Sequence, residues 1–189
     1  MNWPNGVTIL RMLLVPVLVG VSLRVPRQPS LQWAVLGLVA FMGFTDALDG
    51  ILARVLKQRT ALGTFLDPLA DKLFLTAGIV LVACPLWPGG GGVPVARIPD
   101  WVPVVVISRD AFIGIGSAVI YMMNGKMAIR PRLVGKLTTC AQIALLVGAL
   151  IPAFPAPALH ALLVAMLVCT VASWAVYMVE GLRQLPRGG

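Results

Sequence analysis

Residues 31–55 read LQWAVLGLVAFMGFTDALDGILARV. Positions 31–45 hold no charge, and two aspartates and an arginine follow within the next ten residues. As a helix rising about 1.5 Å per residue, such a segment crosses the roughly 30 Å of bilayer hydrocarbon. Its far end then carries acids to the interface. Comparable apolar runs occur at about 5–23, 65–84, 102–123, 133–151 and 157–180. The expected architecture is all-α, an integral membrane bundle of six transmembrane helices forming one domain over residues 1–189.

Composition agrees. Of 189 residues, 59% are hydrophobic and 12% charged, with a mean hydropathy of +0.92. Soluble domains are about 25% charged, so a soluble globular fold and a disordered chain are both excluded. Three cysteines do not make a disulfide scaffold; Cys84, Cys140 and Cys169 read as small apolar fillers. A net charge of +8 on so apolar a chain suits anionic membrane lipids and not nucleic acid. Pro and Gly mark the connections, notably Gly89 to Gly92 and Pro152 to Pro157. The first apolar run lacks a basic leader and reads as a retained helix.

Loop cations set the expected orientation. Lys57, Arg59, Lys126, Arg130, Arg132, Arg183 and Arg187 fall on the side of the termini, against Arg24, Arg27 and Arg97 opposite. The excess places both termini in the cytoplasm of a cell-membrane protein. Trp33, Trp87 and Trp101 then lie at the outer interface.

The acids decide the chemistry. Four of seven, Asp46, Asp49, Asp67 and Asp71, crowd the end of the second span and the start of the third. An aspartate at mid-span costs about 2.5–3.5 kcal/mol, so these need partners. Spacings of three and four put each pair on one helical face, about 60° and 40° apart. Gly50 and Ala53 flank the first pair, and Gly63 lies one step before Asp67 on its ridge. Such small residues leave room for a ligand near the backbone. A short link between the two spans would make them antiparallel neighbours with their acids face to face. Four carboxylates without His or Cys select hard ions, and two Mg2+ or Mn2+ would relieve their repulsion. The plainer alternative pairs the acids with Arg54, Lys57 and Lys72.

The run Asp46-Ala47-Leu48-Asp49-Gly50-Ile51-Leu52-Ala53-Arg54, eight further residues, then Gly63-Thr64-Phe65-Leu66-Asp67-Pro68-Leu69-Ala70-Asp71 resembles the signature of the CDP-alcohol phosphatidyltransferases. All eight defining positions match in type and spacing. Pro4-Asn5, Thr8 and Arg11 are similar to the family's first-helix opening. The resemblance implies transfer of a phosphatidyl group from CDP-diacylglycerol to an alcohol, with release of CMP. It implies that the four aspartates hold two divalent ions and that Asp71 takes the proton of the attacking hydroxyl. It also implies a nucleotide site at Gly50, Ala53, Arg54 and Gly63, with Asn5 and Thr8 near the donor head group. Dimerisation is common in the family, and a homodimer is therefore an expected arrangement.

For the acceptor, Ser108-Arg109-Asp110 and Gly135-Lys136-Leu137 most resemble the glycerophosphate and cardiolipin branch. An arginine inside a span is a functional candidate by default, and the bland alternative is a pair with Asp110. Arg109, Lys136 and Arg132 are the expected acceptor-binding cations, for glycerol-3-phosphate or, alternatively, phosphatidylglycerol. Many glycerophosphate-specific members carry Glu after the arginine, where this chain has Asp110. A transporter would string its acids across the midplane instead. The lone His160 reads as a solvent-facing residue. Pro68 removes a helix hydrogen bond to Thr64 and is a candidate kink.

Overall fold

The computed structural model describes residues 3–55, 61–84, 98–124, 133–151 and 154–184; the side chains of 3–5, 7–8, 46–55, 61–68, 124 and 184 lie outside that description. The described chain forms six helices and no strand. They are α1 (Trp3–Ser22), α2 (Leu31–Val55), α3 (Ala61–Ala83), α4 (Trp101–Asn124), α5 (Leu133–Leu150) and α6 (Ala156–Gln184). The six expected spans match these elements to within a few residues at each end. The largest differences are the start of α3, at Ala61 and not near residue 65, and the end of α6, at Gln184 and not near residue 180. Helix α3 continues through Pro68 as one helix.

Among the described residues α4, α5 and α6 are long and apolar enough to cross a membrane, while α1 and α2 carry shorter apolar stretches, Ile9–Ser22 and Leu31–Thr45.

Burial is arranged for a lipid solvent. Leu13, Phe44, Ile115 and Val168 are each more than 60% exposed, and they lie on four different helices. In water such a surface would aggregate; against acyl chains it is in its own medium. Inside, Met42, Ile79, Leu145, Leu146 and Met166 are almost fully buried. Small residues permit the close packing: a Cβ added at Gly78 of α3 would stand 2.7 Å from Leu146 Cδ2 of α5. Polar ties cross the same interior. Gln32 Nε2 donates to the Leu150 carbonyl at 3.1 Å, joining the start of α2 to the end of α5. Thr138 Oγ1 on α5 donates to the Cys169 carbonyl on α6 at 3.0 Å.

Helix α1 packs against both α2 and α3, α5 against α2, α3 and α6, and α4 against α3 and α6. Among the described residues α2 and α3 share no direct packing. The antiparallel contact expected from their short link falls on the ends that carry the acids, 46–55 and 61–68, whose side chains lie outside the described residues; in the described part α1 touches both helices. Trp33 and Trp101 are exposed, as belt residues would be, and Trp87 lies outside the described residues. The three cysteines are unbridged, with Cys140 exposed. His160 is exposed on the first turn of α6, where its Nδ1–H donates to the Ala156 carbonyl at 3.0 Å.

Candidate active site

Of the four aspartates in the acid segment, Asp71 is the one whose side chain lies among the described residues. It stands near the middle of α3, is 44% exposed, and pairs with the guanidinium of Arg11 from α1. Arg11 itself is 2% exposed. A charge so deeply placed needs a counter-charge, and the α1–α3 packing brings one to it. Asp46 and Asp49 belong to the second half of α2 and Asp67 to the first third of α3; their side chains lie outside the described residues. The same holds for Gly50, Ala53, Arg54, Gly63, Asn5 and Thr8. Among the described residues no group of three or more His, Cys, Asp or Glu gathers.

The next residue on α3 opens a second feature. Lys72 Nζ meets Asp110 Oδ2 of α4 at 2.7 Å. Asp110 Oδ1 in turn accepts from Arg109 Nη1 at 2.6 Å. The pairing of Arg109 with Asp110 is thus present, but it is one contact of several. Arg109 Nη2 donates to Ser173 Oγ on α6, and the guanidinium lies 5.8 Å from the centroid of the Tyr177 ring. Arg109 is 8% exposed, so a buried cation is held by a carboxylate, a hydroxyl and an aromatic face.

Lys72, Arg109, Lys136, Gly135, Thr139 and Tyr177 line one cavity of about 220 Å3 between α3, α4, α5 and α6. Two of the three cations expected from the sequence, Arg109 and Lys136, therefore share a pocket. The third, Arg132, lies outside the described residues. Three cations against one carboxylate, Asp110, leave the pocket net positive. That favours an anion with several acceptor oxygens, such as a phosphate.

Sequence reasoning had Lys72 only as a partner for the acids, and missed Tyr177 and Ser173 altogether. A tyrosine in an apolar helix carries no local signal of the arginine it will face.

Comparison with known proteins now fixes the class. The family model described as CDP-alcohol phosphatidyltransferase matches residues 1–178, and the chain belongs to that family. It is accordingly a membrane enzyme and a transferase of phospholipid biosynthesis. Several relatives bear the name CDP-diacylglycerol--glycerol-3-phosphate 3-phosphatidyltransferase, among them the following three. That of Pseudomonas fluorescens is 45% identical over 82 residues, 43% of this chain and 41% of that protein. That of Bacillus subtilis is 31% identical over 155 residues, 75% of this chain and 72% of that protein. That of Aquifex aeolicus is 27% identical over 190 residues, 98% of each chain. The match to the first of these thus spans about two-fifths of its length.

The family generally depends on a divalent metal. The donor set fits one. The four aspartates offer oxygen alone, which suits Mg2+ or Mn2+, and the described member, Asp71, has its carboxylate partly open.

Proposed function

We propose that this protein transfers the phosphatidyl group of CDP-diacylglycerol to glycerol-3-phosphate, forming phosphatidylglycerophosphate and releasing CMP. The observation that carries this reading is adjacency. Asp71 and Lys72 are neighbours on α3; the first belongs to the acid segment and the second to the cationic pocket. An acceptor phosphate held by Lys72, Arg109 and Lys136 would leave its hydroxyl within reach of the acid segment. Relatives named for glycerol-3-phosphate support the same acceptor, while others named putative cardiolipin synthase support phosphatidylglycerol.

The chemistry balances as follows. The acceptor hydroxyl oxygen bonds to the phosphorus that bears the diacylglycerol. The bond from that phosphorus to the oxygen of CMP breaks, CMP leaves with the electron pair, and the hydroxyl proton passes to an Asp71 oxygen. Asp46, Asp49, Asp67 and Asp71 would hold two divalent ions, which when bound neutralise the charge on diphosphate and leaving group. Gly50, Ala53, Gly63, Asn5 and Thr8 would border the nucleotide, with Arg54 on its phosphates. A carboxylate is a weak base, so holding the hydroxyl in line must supply much of the rate. The donor's acyl chains stay in the bilayer, with the reaction at its cytoplasmic rim.

Purified protein given CDP-diacylglycerol and each alcohol in turn tests the reading by chromatography of the lipid formed. Phosphatidylglycerophosphate is the expected product. Cardiolipin from phosphatidylglycerol, or a product from an unphosphorylated alcohol alone, would overturn the acceptor. The Arg109→Ala variant should raise the KM for glycerol-3-phosphate about 10- to 100-fold, the loss of one charged hydrogen-bonding group. Its KM for CDP-diacylglycerol should stay unchanged; an unaltered acceptor KM would move the phosphate to another pocket.

A further inference from the structure

Tyr177 stands where two parts of the acceptor pocket meet. Its ring face is 5.8 Å from the Arg109 guanidinium, which Asp110 and Ser173 hold from other directions. Ser173 and Tyr177 are four apart on α6, so one helical face supplies both. The hydroxyl of the same tyrosine reaches past Arg109 to α5. A Cβ built on Gly135 would lie 2.9 Å from Tyr177 Oη and 3.9 Å from Arg109 Nη2. Gly135 therefore presents bare backbone to a hydroxyl and a guanidinium that converge on it. Among the described residues none hydrogen-bonds Tyr177 Oη, although it borders a pocket rich in cations. Lys136, the next residue of α5, closes the same wall.

We infer that Tyr177 is an acceptor-recognition residue: its hydroxyl donates a hydrogen bond to a phosphate oxygen of the acceptor, beside Arg109 and over Gly135, while its ring fixes Arg109. This rests on the acceptor pocket of the reading above. The physical logic is that of a two-donor cradle. A guanidinium held by a carboxylate, a hydroxyl and a ring has little freedom left to lose on binding. The tyrosine hydroxyl adds a second, uncharged donor from a rigid side chain. The absent side chain at position 135 is what lets the Tyr177 hydroxyl come so close to α5 beside Arg109. A phosphorylated alcohol uses both donors; an unphosphorylated one leaves them unmet, which is a penalty and a source of discrimination.

The test uses the full chain in lipid micelles with CDP-diacylglycerol and glycerol-3-phosphate, and inorganic phosphate as the probe of the cradle. Tyr177→Phe keeps the ring and removes the donor. The KM for glycerol-3-phosphate should rise about tenfold, and the inhibition constant of inorganic phosphate, competing with the acceptor, should rise in parallel. The KM for CDP-diacylglycerol and kcat should stay within about twofold, the pattern of lost binding and not of lost structure. Gly135→Ala should raise the acceptor KM in the native background and add little in the Tyr177→Phe background, where the hydroxyl it strikes is gone.

An unchanged acceptor KM and phosphate inhibition in Tyr177→Phe, with the native protein active on glycerol-3-phosphate, overturns the role of Tyr177 alone. Equal losses toward both substrates would make the residue structural and overturn it too. A native protein that turns over only an unphosphorylated alcohol overturns the acceptor reading, and this inference with it.

Discussion

Replacing Asp71 with Asn should abolish turnover while leaving the protein folded. Asn keeps the shape of the side chain but cannot take the hydroxyl proton, and removal of a general base costs about 10²- to 10⁴-fold. Any contribution of the carboxylate to metal binding adds to that loss. The pair with Arg11 makes the control essential. Arg11 is almost wholly buried, so neutralising its partner leaves a cation less well compensated in an apolar interior. Stability and rate are therefore to be measured together, by thermal unfolding in detergent and by CMP release. Loss of CMP release with a small shift in unfolding temperature fits the assigned role. Near-native turnover in Asp71→Asn would remove it.

Stripping divalent ions with EDTA should stop the reaction altogether, and Mg2+ or Mn2+ should restore it. Asp46, Asp49, Asp67 and Asp71 supply only carboxylate oxygens, so Zn2+ should restore it poorly by comparison. Without cations the site would set four carboxylates against a diphosphate, a repulsion that the neighbouring Arg11 alone does not offset. Turnover that persists in EDTA would contradict both the ligand set and the role assigned to the acid segment. With all four acids in one site, as proposed, Asp→Asn variants at these positions should not be additive in their effect on rate.

The bundle was plain from the chain because membrane helices announce themselves by length and hydropathy alone. The run at 31–55 needed no tertiary information to read as a helix. The acid segment was equally legible, since aspartates in an apolar stretch carry a cost that demands a function. Two things could not be read in the same way. The facing of α2 and α3 was expected at the ends that carry the acids, whose side chains lie outside the described residues, and the described remainder of both helices packs on α1. Loop length constrains which ends are near but not which faces meet. The acceptor pocket was half visible: Arg109 and Lys136 stood out as charges in apolar surroundings. Tyr177 and Ser173 did not, because each is ordinary in a membrane helix until α4 and α6 bring them together around Arg109.

The most direct measurement follows one phosphorus atom. Purified protein in mixed micelles receives CDP-diacylglycerol and glycerol-3-phosphate labelled in its phosphate, with Mg2+ present. The account predicts that the label enters the chloroform phase as a lipid, with one CMP formed for each labelled molecule. CMP released while the label stays in water would mean that the acceptor's phosphate is not carried into product, and would contradict the account.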